Sequence, residues 1–124
     1  MPGLRSDHDA EITRPAQLEL RSRTAWQRVE GLLDAIGRDN VRLQLDLYHA
    51  QIIQGDLART LEANIERIAH VQIADNPGRH EPGTGEIHYP YLCDLLDRLG
   101  YAGWVGCEYK PLTTTEAGLG WLTR

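Results

Sequence analysis

With 124 residues, 41% of them hydrophobic, and a formal net charge of −5, the chain is long enough for one ordinary domain with a real core. Its charges are spread without a basic stripe, which argues against a nucleic-acid partner. No run approaches the roughly 18 apolar residues of a membrane span or looks like a signal peptide, and only Cys93 and Cys107 are available to pair, so the default is a reducing cytoplasm without a disulfide framework.

Residues 1–23 are polar, hold five arginine or histidine side chains and show no sustained period; they read as a poorly ordered arm. A helix is expected from Thr24, with Gln27 completing a possible capping box. Trp26, Val29, Leu33 and Ile36 form its apolar stripe, and Gly37 stops it.

A first strand is predicted over about Val41–Leu47. Leu43, Leu45 and Leu47 share one face, and Arg42, Gln44 and Asp46 the other, because strand side chains alternate. Asp56 can cap a second helix whose buried stripe is Leu57, Leu61, Ile65 and Ile68. The second strand follows at about Ala69–Asp75, with Val71 and Ile73 on one side and His70 and Gln72 on the other. The polar connection from Asn76 to Glu86 holds three glycines and two prolines. A loop of that length after a strand's C-terminal end is usually functional.

Pro90 suits the first turn of a third helix with the stripe Leu92, Leu95, Leu96 and Leu99, ended by Gly100. The third strand spans about Gly103–Tyr109, placing Trp104, Gly106 and Glu108 on one face. Pro111 breaks it, and Thr113-Thr114-Thr115-Glu116 opens a short last helix. The order αβαβαβα reads as parallel α/β with right-handed crossovers.

Each strand thus ends near an oxygen-bearing side chain of the same parity: Asp46, Gln72 and Glu108. Strand C-terminal ends are where α/β barrels build active sites. Taken singly, Asp46 could equally leave the core and cap a turn, and Gln72 could be a hydrogen-bonded strand residue. Together, two carboxylates and an amide oxygen suit Mg²⁺ or Mn²⁺ better than zinc. His49, three residues after Asp46, is placed to hydrogen-bond a substrate oxygen or move a proton, or else to face water. Arg79 and Lys110 are loop cations beside Gln72 and Glu108 that can hold a substrate carboxylate, although most loop cations are simply solvated. Glu86 is as well suited to the amides that open the third helix as to chemistry.

At these residues the sequence resembles hydroxypyruvate isomerase, within the xylose-isomerase-like TIM-barrel superfamily. The matching stretches are Asp46-Leu47-Tyr48-His49-Ala50-Gln51, the run from His70 through Ile87, Gly103 through Pro111, and Thr113 through Leu119. The likeness covers about Thr24 to the C-terminus. It implies the C-terminal half of a (β/α)₈ barrel, its sixth to eighth strands, in a chain below the roughly 200 residues of a whole barrel. It further implies a divalent metal, Mg²⁺ or Mn²⁺, held by Asp46, Gln72 and Glu108, and interconversion of hydroxypyruvate and tartronate semialdehyde through an enediolate. Glu108 would be one of two proton-shuttling glutamates, and His49 would assist at a substrate oxygen.

The pattern's fourth metal ligand is a glutamate about one βα repeat before Asp46. Glu11 is near that spacing but follows a polar run that cannot be a buried strand, and Glu19 lies off the spacing. Two expectations therefore stand beside the isomerase: a related 2-oxo-tetronate isomerase, and an inactive barrel fragment that folds by self-association through its open edges, giving a homo-oligomer.

Overall fold

A computed structural model describes residues 25–123, with Ala25 and Trp26 as backbone only. The arm expected over residues 1–23, Glu11, Glu19, the Thr24 cap and the Trp26 side chain lie outside what is described. Two units are distinguished, Met1–Gly37 and Arg38–Arg124. The first contains helix α1, Ala25–Ile36. It ends as expected at Gly37, which has a left-handed φ of 58° and donates its N–H to the Leu33 carbonyl at 3.0 Å.

The second unit is built on three parallel strands in the order β1-β2-β3: β1 Leu43–Asp46, β2 Ile68–Ile73 and β3 Val105–Cys107. All three are shorter than the apolar runs from which they were expected. Leu47, expected at the end of β1, instead opens α2, Leu47–Ile53, a helix that no sequence pattern predicted. Asp46 sits at its N-cap and accepts the His49 N–H.

Helix α3, Leu57–Asn64, ends earlier than its stripe suggested. Ile65 falls in a 3₁₀ turn, Ile65–Arg67, and Ile68 already belongs to β2. Asp56 stands at the N-cap position of α3 but does not cap it: its backbone is left-handed, with φ 51°, and its carboxylate pairs with Arg59 at 3.4 Å. Helix α4, Tyr89–Arg98, carries Pro90 in its first turn, and Gly100, with φ 74°, follows its end. The last helix is a 3₁₀ segment, Ala117–Leu122, starting a few residues later than expected.

One face of the sheet supplies the core. Leu45, Val71 and Ile73 are almost wholly buried, as are Leu47 at the start of α2 and Leu61 on α3. Tyr89, Leu92, Leu95 and Leu96 bury one side of α4, which contacts α3. Fully burying each such side chain contributes about 1.5–3 kcal/mol, so alternation alone sends Leu43 and Leu45 inward and leaves Gln44 and Asp46 on the opposite face.

Candidate functional site

That opposite face is polar. In the parallel register, Gln44 lies beside His70, Asp46 beside Gln72, and Gln72 beside Gly106. Asp46, Gln72 and Gly106 therefore form one row across the sheet. Glu108 stands one step beyond Gly106 on the same parity, just past β3, and its N–H donates to the Ile73 carbonyl at 3.0 Å. Asp46 and Gln72 are thus neighbours at the C-terminal ends of adjacent strands, and Glu108 follows the end of the third.

Local contacts orient them. The Gln44 side-chain amide donates to Gln72 Oε1 at 2.9 Å, which ties the Gln72 oxygen to the neighbouring strand. Asp46 Oδ1 accepts the His49 N–H at 3.1 Å, while Oδ2 lies 3.9 Å from His49 Nε2. The capping and site readings of Asp46 are thus compatible, because a carboxylate has two oxygens. His49 is half exposed in the first turn of α2, its ring edge-on to Tyr48. Gly106 leaves the row open: a Cβ there would meet His70 Nε2 at 2.9 Å. Among the described residues no three His, Cys, Asp or Glu side chains converge on one point. The set on this face is two carboxylates and an amide, all oxygen donors, and its chemistry fits part of the shell of a hard divalent cation.

The loop after β2 is irregular, as expected, and closely tied. Asp75 donates its N–H to the His80 carbonyl at 2.8 Å and accepts the Arg79 N–H at 2.9 Å. Arg79 takes a left-handed φ of 59°, its guanidinium lies 5.3 Å over the Tyr48 ring, and its Nε reaches the Glu108 carbonyl at 3.5 Å. Its carbonyl accepts the Lys110 N–H at 2.9 Å, and His80 Nδ1 donates to the Lys110 carbonyl at 2.7 Å. Arg79 and Lys110 are brought together through backbone, and the Lys110 side chain is exposed. A Cβ at Gly78 would meet the His80 ring at 2.5 Å, so a larger residue there would have to displace that ring.

Glu86 does not cap α4. Its Oε1 lies 3.5 Å from Gln51 Nε2, and the cap is His88, whose Nδ1 accepts the Tyr91 N–H at 3.1 Å. Three residues that no periodicity or motif marked also shape the site. Tyr48 packs under Arg79. Asp75, 1% exposed, gathers the loop's amides. Tyr89, buried, donates its hydroxyl proton to the Ala74 carbonyl at 2.6 Å and accepts the Ala74 N–H at 3.2 Å. Burial pushes the Tyr89 phenol well above its ordinary range, against the lowering effect of the Ala74 bond, with the Asp75 carboxylate adding to the rise. The signal for Asp75 was present: an aspartate closing an apolar strand and followed by Asn-Pro-Gly is placed to organise a turn.

The chain is similar to several known proteins. Hydroxypyruvate isomerase of Escherichia coli K12 is 54% identical over 99 residues, covering 80% of this chain and 38% of that protein. The 2-oxo-tetronate isomerase of Cupriavidus necator is 50% identical over 93 residues, covering 75% and 36%. The chain thus spans little more than a third of the length of these relatives. Among solved structures, an AP endonuclease, family 2, from Brucella melitensis superposes with a TM-score of 0.73 at 55% identity, over 75% of this chain and 36% of that one. No described helix is long and apolar enough to cross a membrane. The α/β fold, with its parallel sheet and flanking helices, is that of a partial TIM barrel. Residues 12–124 match the model of the xylose isomerase-like TIM barrel, and the chain belongs to that family.

Proposed function

We propose that this chain contributes the C-terminal strands of the active site of an isomerase acting on small hydroxy-oxo acids, with hydroxypyruvate and tartronate semialdehyde as the substrate pair. The observation that carries the reading is the register: Asp46 and Gln72 are direct neighbours across β1 and β2, and Glu108 follows on the same face.

Asp46, Gln72 and Glu108 would hold Mg²⁺ or Mn²⁺. When bound, the ion supplies Lewis-acid polarisation of adjacent carbonyl and hydroxyl oxygens. The chain's own residues act on the substrate. The Glu108 carboxylate moves a proton between the two adjacent carbons of the substrate. His49, on the first turn of α2, donates a hydrogen bond to a substrate oxygen, steadied by the Asp46 carboxylate beside it. Arg79 and Lys110 take the substrate carboxylate, Arg79 by its planar two-pronged face.

The similarity to a protein named 2-oxo-tetronate isomerase favours one second reading, the same proton transfer on a four-carbon acid. The test is turnover of hydroxypyruvate and of a 2-oxo-tetronate by the folded chain, with Mg²⁺ or Mn²⁺ and with a chelator. Metal-dependent turnover that prefers the three-carbon acid is expected. Preference for the four-carbon acid selects the second reading, and no turnover of either by a folded sample rejects both for this chain. Glu108→Gln keeps the shape and removes the base, and is expected to lower kcat by about 10²–10⁴.

A further inference from the structure

The carboxylate of Asp75 is buried, and none of the proposed chemistry uses it. An isolated carboxylate in that position is costly unless it is fully hydrogen-bonded. Here it receives four backbone N–H groups: Oδ1 accepts from Asn76 at 2.9 Å and Ile87 at 3.0 Å, and Oδ2 from Gly83 and Gly85, both at 2.9 Å. The donors come from both ends of the 76–87 loop, so one side chain closes the whole excursion between β2 and α4. The packing is tight, since a Cβ on Gly85 would meet the Asn76 carbonyl oxygen at 2.1 Å and Asp75 Oδ1 at 2.8 Å. The backbone of Asp75 closes the smaller turn that carries Arg79, through the Arg79 N–H and the His80 carbonyl.

We propose that Asp75 is a positioning residue: by gathering the amides of the 76–87 loop onto its carboxylate, it holds the turn that sets the Arg79 guanidinium over Tyr48 and beside the Glu108 carbonyl. Its effect on turnover rests on the isomerase reading; its effect on Arg79 does not. Arg79 has a flexible side chain on a loop, and ordering it costs rotamer entropy. A turn fixed from beneath confines its Cα, and the Tyr48 ring then confines the guanidinium.

The test is made on the full chain in solution. In the unsubstituted protein, the amides of Gly83, Gly85 and Ile87 are expected to be protected from hydrogen exchange about tenfold or more relative to a free loop. The Arg79 Nε–H resonance should be shifted by the Tyr48 ring current, and Tyr48→Leu should abolish that shift. Asp75→Asn is nearly isosteric, but its NH₂ group must face two N–H donors whichever way it turns. It should release those amides and return the Arg79 resonance to a solvent-exposed position. Free exchange of Gly83 and Gly85 in the unsubstituted protein overturns the proposal even if Asp75→Asn fails to fold. An unmoved Arg79 resonance in a folded Asp75→Asn variant also overturns it.

With hydroxypyruvate and Mg²⁺, Asp75→Asn should raise KM as Arg79→Ala does, with kcat within about twofold, and the double variant should be no worse than Arg79→Ala alone. Additive losses would mean that Asp75 does not act through Arg79. Absence of turnover in the unsubstituted chain, with the Arg79 shift intact and lost in Asp75→Asn, would remove the isomerase reading and leave the positioning role standing.

Discussion

One carboxylate oxygen of Asp46 accepts the His49 N–H at 3.1 Å while the other faces the His49 ring at 3.9 Å, so a substitution here reports on two effects, and the choice of residue separates them. Asn is as good an N-cap as Asp, so Asp46→Asn should leave stability without metal within about 0.5 kcal/mol. Asp46→Ala removes the cap of α2 and should cost about 0.5–2 kcal/mol. In the unsubstituted chain, saturating Mg²⁺ should stabilise the fold, by about 2.7 kcal/mol at a hundred times its Kd. Asp46→Asn should lose most of that increment, because a neutral amide replaces one of the two carboxylates. Urea melts with and without Mg²⁺ measure all three. An Asn variant that keeps the full increment would mean that Asp46 is a cap and nothing more.

The elements show where sequence was sufficient. The stripe of α4, the glycine stops at Gly37 and Gly100, and the inward leucines of β1 follow from period and parity, which depend on local geometry alone. The pairing of Asp46 with Gln72 was legible for the same reason: parity places both on one face once the strands are parallel, and the same parity predicts that face for Glu108. Helix α2 escaped because Asp46 serves as both strand end and cap, while Asp56, four residues after the end of Gln51-Ile52, looked the better start. Asp75 and Tyr89 escaped because their partners are backbone groups that the fold brings close and no periodicity marks. Tyr89 also ties α4 to the end of β2. Tyr89→Phe leaves the Ala74 N–H and carbonyl buried without that partner, and should cost about 1–3 kcal/mol in a denaturant melt. The folded phenol titrates above its ordinary value near 10. Above about pH 10 the unfolded chain therefore sheds a proton that the folded chain keeps, and stability must fall as pH rises through that window and be unaffected by this group below it. Burial raises Tyr101 in the same direction. Tyr89→Phe should flatten, without abolishing, the alkaline fall. An equal slope in both proteins would show that the buried phenol does not contribute.

At the scale of the whole second unit, the two faces of the sheet are treated unequally. Parallel sheets are ordinarily covered on both faces. Here the leucine and valine face is covered by helices, while the face bearing Gln44, His70 and Gln72 is polar and only partly shielded. With the order β1-β2-β3, β3 is an edge strand of this sheet. Trp104, immediately before it, is 86% exposed, and Val105 is 38% exposed. An edge strand flanked by exposed apolar side chains is a template for pairing with another chain, and the relatives that this chain matches are much longer. The chain alone should therefore associate with rising concentration, as sedimentation will measure. Val105→Lys places a charge on that edge, where natural sheets use lysine to block pairing, and should shift the equilibrium toward monomer without unfolding the protein. A monomer at every concentration with one cooperative melt would show that β3 is adequately covered within a single chain. Association that persists in Val105→Lys would place the contact elsewhere, with the exposed Ile52 and Ile53 at the end of α2 the next surface to charge.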